Sequence, residues 1–412
     1  MMKVKFSFFL LSLLLFALVP VIMADTNAQE NNVVIRNVPK IAFVSKRDSN
    51  FEVYTINEDG TDLKRLTNSK DDDLKPQWSP DGTKILYLSK NGGKYALRVM
   101  NSDGSGQAKL ANDCVIDYPP SWSPDGAKIL FVAKAKSKNA IFTIDADGGN
   151  LIRLTEIDTD GAYPLWSPDG SKVLFRQRYR SDTYIYTINP DGTGRLKLTR
   201  EKGDYLTFTW SPDGRKIAYI SFNSKLWGNY NKIYTIDADG GNNLEIINCS
   251  KKSEDINYYD ELNWSPDGTT LAFNKVAEAE VHMSENGSMS FTYIYGTYIV
   301  GSNGDSREQL LGKTGAERVL PGWAPDSSKL AFLYNSKLTF LNMKNKVEDA
   351  IKVDVAIPLS HVRWSPGGTK LIFAGKSSSF QKSALYLVTL DGKVTVLSEA
   401  NDYDPVWSPV GK

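Results

Sequence analysis

Short segments in which apolar and polar residues alternate recur along the chain from residue 41 onwards. Tyr184–Ile188 is typical, with Tyr, Ile, Tyr, Thr and Ile in succession, and an Asp191-Gly192 pair follows it. Alternation with a period of two is the pattern of a β-strand, and Asp-Gly between two such segments favours a hairpin turn because glycine accepts a positive φ. No segment beyond the first thirty residues has the periodicity of an amphipathic helix. The pattern predicts an all-β protein.

A repeated motif, W-S-P-D-G, organises these segments. It occurs intact five times and in weaker form three times, and it contains eight of the nine tryptophans. Successive motif tryptophans are 44, 44, 44, 54, 59, 41 and 43 residues apart, which is the period of a structural repeat. Proline presets the first corner of a tight turn, and the aspartate is expected to form the turn. The eight tryptophans, expected to pack between neighbouring repeats, are Trp78, Trp122, Trp166, Trp210, Trp264, Trp323, Trp364 and Trp407.

Each repeat contains four short strands. A β-rich run such as Lys84–Leu88 follows the motif, then come the alternating strand, a third run such as Ile152–Thr155, and the strand that carries the next tryptophan. Four strands in each of eight repeats predict an eight-bladed β-propeller of four-stranded antiparallel blades. The first repeat, from Ile41, lacks a Trp strand, whereas the last Trp strand, Asp404–Ser408, has nothing after it. The C-terminal strand is therefore expected to pair with the N-terminal repeat and close the ring.

The repeat resembles that of the TolB-like, or WD-like, β-propellers. The similarity rests on I-A-F-x-S, Y-x-I-x-x-D-G, L-T and P-x-W-S-P-D-G, and it spans residues 41–412. It implies the propeller fold, an extracytoplasmic setting, and protein binding as the commonest role. The repeat is also similar to the propellers of prolyl-oligopeptidase-like peptidases and oligogalacturonate lyases. Those enzymes use a G-x-S-x-G nucleophile in a hydrolase domain, or several metal-binding histidines; this chain has no such motif and two histidines, so we expect no enzymatic activity.

The N-terminal residues have the pattern of an export signal. Lys3 and Lys5 precede an uncharged, mainly apolar run, Phe6–Met23, and small residues follow it. The predicted organisation is a signal peptide at residues 1–24, with cleavage as late as residue 28, a linker at 25–40 and one propeller domain at 41–412. An uncleaved membrane anchor is the alternative. Either way the propeller is expected to be periplasmic, on the cell surface or secreted.

The charge balance and the cysteine content limit the classes of partner that the chain is expected to bind. The chain has 49 Lys and Arg residues against 48 Asp and Glu, so no strong positive field favours nucleic acid. Cys114 and Cys249 fall three repeats apart and are expected to remain unpaired. The chain is expected to be a monomer that binds another envelope or extracellular protein, with carbohydrate as the alternative ligand.

One face of the predicted propeller carries the candidate binding residues. The two long spacings place insertions at Asn248–Leu262 and Val276–Tyr293, on the face formed by loops into the Trp strand and between the second and third strands. Tyrosines beside carboxylates recur there, and they suit a protein hot spot or sugar stacking. Sealing of the blade ends is the alternative role. The candidate binding face is Tyr118, Tyr163, Tyr205, Tyr258, Tyr259, Asp260, His361 and Tyr403.

No catalytic or cofactor-binding residue is predicted. His282 and His361 lack metal-ligand spacing, and no phosphate-binding glycine loop precedes a helix. Asp71–Asp73 and Asp402–Asp404 offer oxygen ligands for calcium, with solvated loops as the alternative. The favoured function is a protein-binding scaffold. The alternatives are a carbohydrate-binding module and an enzyme that processes polysaccharide or peptide in the central channel.

Overall fold

A computed structural model describes most of the chain from residue 38 onwards. The described residues are 38–200, 204–222, 231–247, 259–283, 289–305, 308–309, 322–334, 337–345, 347–352, 362–376 and 382–409. The predicted signal peptide and nearly all of the predicted linker lie outside them. In these ranges the secondary structure is entirely β, and no helix is long and apolar enough to cross a membrane.

The strands form six separate four-stranded antiparallel sheets and one eight-stranded sheet, which we describe as two four-stranded sheets, 2 and 3. Each of these units has a Trp strand at one edge. We number the sheets in chain order. Sheet 1 contains β1 (Lys40–Asp48), β2 (Asn50–Asn57), β3 (Lys64–Arg65) and β32 (Asp402–Trp407). Sheet 2 contains β4 (Asp72–Trp78), β5 (Lys84–Asn91), β6 (Lys94–Asn101) and β7 (Ala108–Cys114). Sheet 3 contains β8 (Ser121–Trp122), β9 (Lys128–Ala135), β10 (Lys138–Asp145) and β11 (Ile152–Arg153).

The remaining sheets repeat this order of strands. Sheet 4 contains β12 (Asp160–Trp166), β13 (Val173–Tyr179), β14 (Asp182–Ile188) and β15 (Leu196–Lys197). Sheet 5 contains β16 (Asp204–Trp210), β17 (Lys216–Phe222), β18 (Asn231–Asp237) and β19 (Leu244–Ile247). Sheet 6 contains β20 (Tyr259–Trp264), β21 (Thr270–Met283), β22 (Met289–Gly301) and β23 (Glu308–Gln309). Sheet 7 contains β24 (Gly322–Trp323), β25 (Lys329–Tyr334), β26 (Lys337–Asn342) and β27 (Glu348–Lys352), and sheet 8 contains β28 (Arg363–Trp364), β29 (Lys370–Gly375), β30 (Ala384–Thr389) and β31 (Val394–Glu399).

The first and last described strands belong to the same sheet. β1 pairs with β32 in an antiparallel register that sets Ile41 opposite Trp407 and Ser45 opposite Asp402. Beyond the strands, the Lys40 amide donates to the Ser408 hydroxyl at 2.9 Å and the Ser408 amide donates to the Lys40 carbonyl at 2.7 Å. The two ends of the described chain are therefore joined by backbone hydrogen bonds.

The W-S-P-D-G motif and its variants form the turn after the Trp strand in sheets 2 to 8. In sheet 4 the Ser167 hydroxyl donates to the Asp169 carboxylate at 2.6 Å and accepts the Lys172 amide at 2.9 Å. Asp169 also accepts the Ser171 amide at 3.0 Å. Hydrogen bonds from Ser167 and from this amide hold the pKa of Asp169 below its ordinary value. The aspartate thus closes the turn through its side chain.

Neighbouring turns also pack against each other. Gly170 has a φ of 71°, and a Cβ added there would lie 3.2 Å from Cδ of Pro124 in the preceding motif. The same contact joins Gly82 to Pro409 of the last motif, where the corresponding distance is 3.5 Å to Cγ. The positive φ favours glycine at this position, although Ser327 occupies it in the motif of Trp323 with a φ of 61°.

The tryptophans connect successive Trp strands. Trp166 Nε1 donates to the Ser121 carbonyl at 3.4 Å, and Trp407 Nε1 donates to the Arg363 carbonyl at 3.2 Å. In each case the acceptor is the residue just before the tryptophan of the preceding strand. The same bond is made by Trp122, Trp210, Trp323 and Trp364.

Apolar residues from adjacent sheets form the core. The strand after the Trp strand contains a continuous run of buried residues, as in β5 and β29. Side chains of sheets 2 and 3, including Leu88, Val99, Phe131 and the free thiol of Cys114, form one such cluster. Sheets 2 and 3 are also continuous, because Cys114 pairs with Ala133 and the Val115 amide donates to the Val132 carbonyl at 2.9 Å. Cys249 lies outside the described residues.

Candidate functional site

β-Bulges shape the Trp strands near the face predicted to bind. Lys75, Tyr163 and Asp404 have φ values of 56°, 54° and 50°, and each precedes a proline. The strand register shifts at each of these points. A bulge leaves a residue outside the regular pairing and redirects its side chain. Lys75 and Asp404, on adjacent Trp strands, form an ion pair of 2.9 Å.

Three of the predicted binding residues come together around the bulge at Tyr163. The rings of Tyr118 and Tyr163 meet edge to face with centres 4.9 Å apart. The Arg176 guanidinium lies 4.6 Å from the centre of the Tyr163 ring, and its Nη1 donates to the Tyr205 carbonyl at 3.0 Å. Tyr163 is 46% exposed, while burial raises the pKa of Tyr118. The cluster presents one accessible aromatic ring, held by a cation that the sequence does not single out.

The remaining predicted residues, and the side chain of Tyr205, are placed differently. The side chain of Tyr205 was expected on the binding face, but it is only 3% exposed and packs edge to face against Tyr219. Tyr403 packs against Phe51, far along the chain from the Tyr163 cluster. For Tyr259 and Asp260 only the backbone, within β20, is described. Tyr258 and His361 lie outside the described residues.

The acidic residues considered for calcium have other contacts. Asp72 accepts the Phe51 amide at 3.1 Å, and Asp160, at the equivalent position of sheet 4, accepts the Asn139 amide at 2.9 Å. Asp402 is fully buried and forms an ion pair of 3.2 Å with Arg47. Within the described ranges no three His, Cys, Asp or Glu side chains are arranged to hold a metal ion. These aspartates connect strand ends.

Asp73 differs from these aspartates, because it is buried while one of its carboxylate oxygens lacks a hydrogen bond in the described structure. It is 2% exposed, and its Oδ1 has no hydrogen-bond partner among the described residues. Burial raises its pKa to about 6, an effect that nearby Ser89 opposes and the buried carboxylate of Glu52 strengthens. Glu52 itself is bound by Arg65 at 2.9 Å and by the Ser69 amide at 3.0 Å.

The insertion at Val276–Tyr293 is an extended hairpin. β21 and β22 contain 14 and 13 residues, twice the length of the equivalent strands β13 and β14 of sheet 4, with 7 each. Pairing continues from Val276–Tyr295, through a bulge, to Met283–Met289. The register sets Ala279, Val281 and Met283 opposite Tyr293, Phe291 and Met289. Alternate residues of a ribbon share a face, so one face carries apolar residue types. Met283 is 72% exposed.

A cleft of about 420 Å³ lies at the W-S-P-D-G end of the Trp strands of sheets 8, 1, 2 and 3. We call it the tryptophan cleft. Among the described residues, Arg363 is the only charged one that lines it. Its side chain is exposed, yet the surrounding protein desolvates it, which lowers the pKa of the guanidinium while Asp404 opposes this shift. The other principal lining residues are Gln77, Trp78, Ser121, Trp122, Trp364 and Trp407.

Sequence reasoning missed this cleft, although the repeat contains a signal for it. The residue before the motif tryptophan is uncharged in every repeat except the one with Arg363, as the eight positions show: Gln77, Ser121, Leu165, Thr209, Asn263, Gly322, Arg363 and Val406. Packing alone does not require a charged residue at a position where the other repeats have neutral ones, so Arg363 is a signal of function.

Comparison with protein families identifies one match. The model described as the TolB beta propeller domain matches residues 36–205 and 94–294. The comparison with curated proteins gives no match.

Solved structures share the fold at low sequence identity. Dihydro-heme d1 dehydrogenase NirN is 13% identical with a TM-score of 0.61, over 91% of this chain and 75% of that one. Oligogalacturonate lyase from Vibrio parahaemolyticus is 12% identical with a TM-score of 0.56, over 86% and 98%. TolB from Acinetobacter baumannii is 15% identical with a TM-score of 0.43, over 90% of this chain and 66% of its own length. For the dehydrogenase and the lyase, the likeness concerns the fold alone.

Proposed function

This chain belongs to the TolB β-propeller domain family, and on that premise we propose that it is an exported scaffold that binds another protein. The observation that carries the proposal is the β21–β22 hairpin. The part of the ribbon beyond Val276 and Tyr295 adds roughly 20 Å to the sheet, whereas the equivalent hairpins of sheets 1 to 4 end in short turns. Its register gathers apolar residue types on one face, and Met283 near its tip is exposed. Protruding apolar residues on a rigid scaffold suit protein recognition.

The proposal is tested by trimming the hairpin. Residues 277–294 are replaced by Asn-Gly, which joins Val276 to Tyr295 through a two-residue turn and leaves seven residues in each strand, as in β13 and β14. Purified full-length and trimmed proteins are immobilised and exposed to native envelope extract. We expect a stoichiometric partner that the full-length protein retains and the trimmed protein loses, at unchanged melting temperature.

A point variant checks that the apolar face is what the partner contacts. Met283→Lys keeps the hairpin and places a charge at an exposed position, so it should weaken retention of the same partner. Tyr179→Lys is the matched control, because Tyr179 is 51% exposed in the equivalent hairpin of sheet 4. A partner that both the trimmed protein and Met283→Lys retain would argue against the hairpin as the binding element.

Carbohydrate binding is the second candidate function, and Tyr163 favours it. Its ring is 46% exposed beside Arg176 and Tyr118, an arrangement that suits stacking on a sugar. A glycan panel probed with the wild-type protein and with Tyr163→Ala separates this function from the first. Glycan binding that Tyr163→Ala abolishes and hairpin trimming leaves intact would favour the carbohydrate module.

Export and location also belong to the proposal. The basic start and apolar run of residues 3–23 support a location outside the cytoplasm. Fractionation of cells that express the whole chain, followed by N-terminal sequencing, tests it. A new N-terminus at residue 25 or 29 would indicate cleavage, and an intact terminus in the membrane fraction would indicate an anchor.

We infer further that the eight sheets are the blades of one closed ring. The β1–β32 pairing supports closure at sheet 1, and the contacts of Trp407 with Arg363 and of Gly82 with Pro409 link that sheet to sheets 8 and 2. The same indole and proline contacts recur between other neighbouring sheets.

A further inference from the structure

We propose that the tryptophan cleft is a carboxylate-binding site in which the Arg363 guanidinium binds the anion. This site is distinct from the hairpin of the proposed function. It lies at the opposite, W-S-P-D-G end of the Trp strands and is formed by other sheets. Its ligand carries a carboxylate at one end and is small or extended enough to enter a cleft of about 420 Å³, a volume in the range of ligand sites.

Arg363 brings to the cleft a positive charge without a partner in the part of the chain that the structure describes. Among the described residues the Arg363 side chain has no hydrogen bond or ion pair, although it lines a cleft between four Trp strands. Asp404, the acidic group that opposes the lowering of the Arg363 pKa, is already paired with Lys75 at 2.9 Å. These three groups therefore leave one net positive charge at the cleft. A partly desolvated guanidinium without a partner attracts an anion, and its planar fork matches a carboxylate through two parallel hydrogen bonds.

The walls of the cleft are the second argument. Indole rings of Trp364 and Trp407 line the cleft with Arg363, and each is fixed by its N–H bond to a backbone carbonyl, at 2.9 Å and 3.2 Å. Gln77 and Ser121 line the same cleft, and the described structure gives their side chains no hydrogen-bond partner. The site thus combines aromatic surfaces, two neutral donors and one cation, as expected for a short acidic ligand with an apolar body.

Preorganisation is the third argument. The Arg363 carbonyl accepts Trp407, and the neighbouring Trp364 donates to Gly322, so the backbone at Arg363 is fixed from both adjacent sheets. The base of the Arg363 side chain is therefore already in place, and only its rotamers have to be ordered when an anion binds. Leu165 and Val406, at the equivalent positions of sheets 4 and 1, have no charge, so the arrangement is particular to sheet 8.

The test uses the whole folded protein and three probes. N-acetyl-trialanine with a free carboxylate represents a peptide C-terminus, its C-terminal amide removes the charge at nearly constant shape, and acetate represents a small organic acid. Binding is followed by tryptophan fluorescence, since four indoles line the cleft. We expect the free acid to bind and the amide to bind at least tenfold more weakly.

Two variants assign the effect to the cleft. Arg363→Gln should raise the Kd of the free acid at least tenfold, because the backbone carbonyl that accepts Trp407 remains while the guanidinium is lost. Arg215→Gln is the matched control: it removes an 86% exposed arginine on the same end of the sheets, outside the cleft, and should leave the Kd unchanged. The melting temperatures of both variants show whether either has unfolded.

The outcomes separate the sources of the carboxylate. Acetate that displaces the peptide at a similar concentration indicates a small organic acid as the ligand, and failure of acetate to do so indicates a chain terminus. Equal binding of acid and amide, wild-type affinity in Arg363→Gln, or no response of the folded wild type up to about 10 mM probe would each overturn the proposal.

Discussion

At the scale of single residues, the same residue type has different roles according to the groups around it. Asp169 closes a turn, Asp72 accepts the amide of a neighbouring sheet, and Asp73 is buried with an oxygen that has no partner. The sequence predicts the first role, because S-P-D-G is a local turn pattern. It cannot predict the other two, because they depend on which strand of an adjacent sheet lies against each carboxylate.

The tryptophans allow a matched prediction about hydrogen bonding. Trp122 Nε1 donates to the Gln77 carbonyl at 3.3 Å, whereas the buried Nε1 of Trp78 has no acceptor in the described structure. Trp122→Phe should therefore lower the free energy of unfolding by about 1 kcal/mol more than Trp78→Phe does. Urea denaturation of the two variants measures the difference. An equal loss in both would mean that the indole bond contributes nothing beyond the volume of the ring.

Asp73 predicts a dependence of stability on pH. Its folded pKa of about 6 exceeds the ordinary 3.8, so its ionised form destabilises the fold above pH 6 and the penalty disappears as pH falls towards 4. Asp73→Asn should raise the free energy of unfolding above pH 6, by up to about 3 kcal/mol, and by little at pH 4. Thermal melts across pH 4 to 8 test this. Asp72→Asn, at the half-buried neighbouring position, is the control and should not stabilise at any pH.

At the scale of strands, the alternating pattern and the motif spacing place most elements correctly. β5 and β9 begin at the predicted Lys84 and Lys128 and continue three residues further than the pattern indicates. The third strands are often reduced to two residues, as in β11. Local pattern identifies a strand, while its length depends on how far the neighbouring strand remains paired.

The insertion in sheet 6 shows where the prediction of a loop was wrong. Val276–Tyr293 was expected to emerge as a loop, but β21 and β22 stay paired up to Met283 and Met289. Alternation of apolar and polar types in Ala279–Met283 and Met289–Tyr293 is the signal that could have identified strands. For candidate binding residues the pattern was less informative. It assigned Tyr118 and Tyr163 to one face, and the structure places their rings in contact. It also assigned Tyr205 to that exposed face, whereas the side chain of Tyr205 is buried.

At the scale of the whole molecule, the prediction concerns the last strand. Deletion of residues 403–412 removes all of β32 except Asp402 and leaves β1 without its partner. The loss should be large, because Trp407 and Pro409 also contact sheets 8 and 2. We expect the melting temperature to fall by more than about 10 °C, or the protein to aggregate, since an exposed strand edge invites association.

The matched control for this deletion is Asp404→Asn, which removes the ion pair with Lys75, suits the positive φ of this residue, and should melt within a few degrees of the wild type. A truncated protein that melts like the wild type would show that the ring does not depend on sheet 1 for closure.

The hydrogen bonds between Lys40 and Ser408 have a consequence for protein engineering. Because the ends of the described chain meet, a short linker from residue 409 to residue 38 would make the polypeptide circular without moving any strand. New termini could then be opened in the two-residue turn between β13 and β14, at Arg180 and Ser181. Such a circular permutant should fold to the same propeller. It would also move any fused protein from the end that holds the tryptophan cleft to the opposite end, beside the Tyr163 cluster.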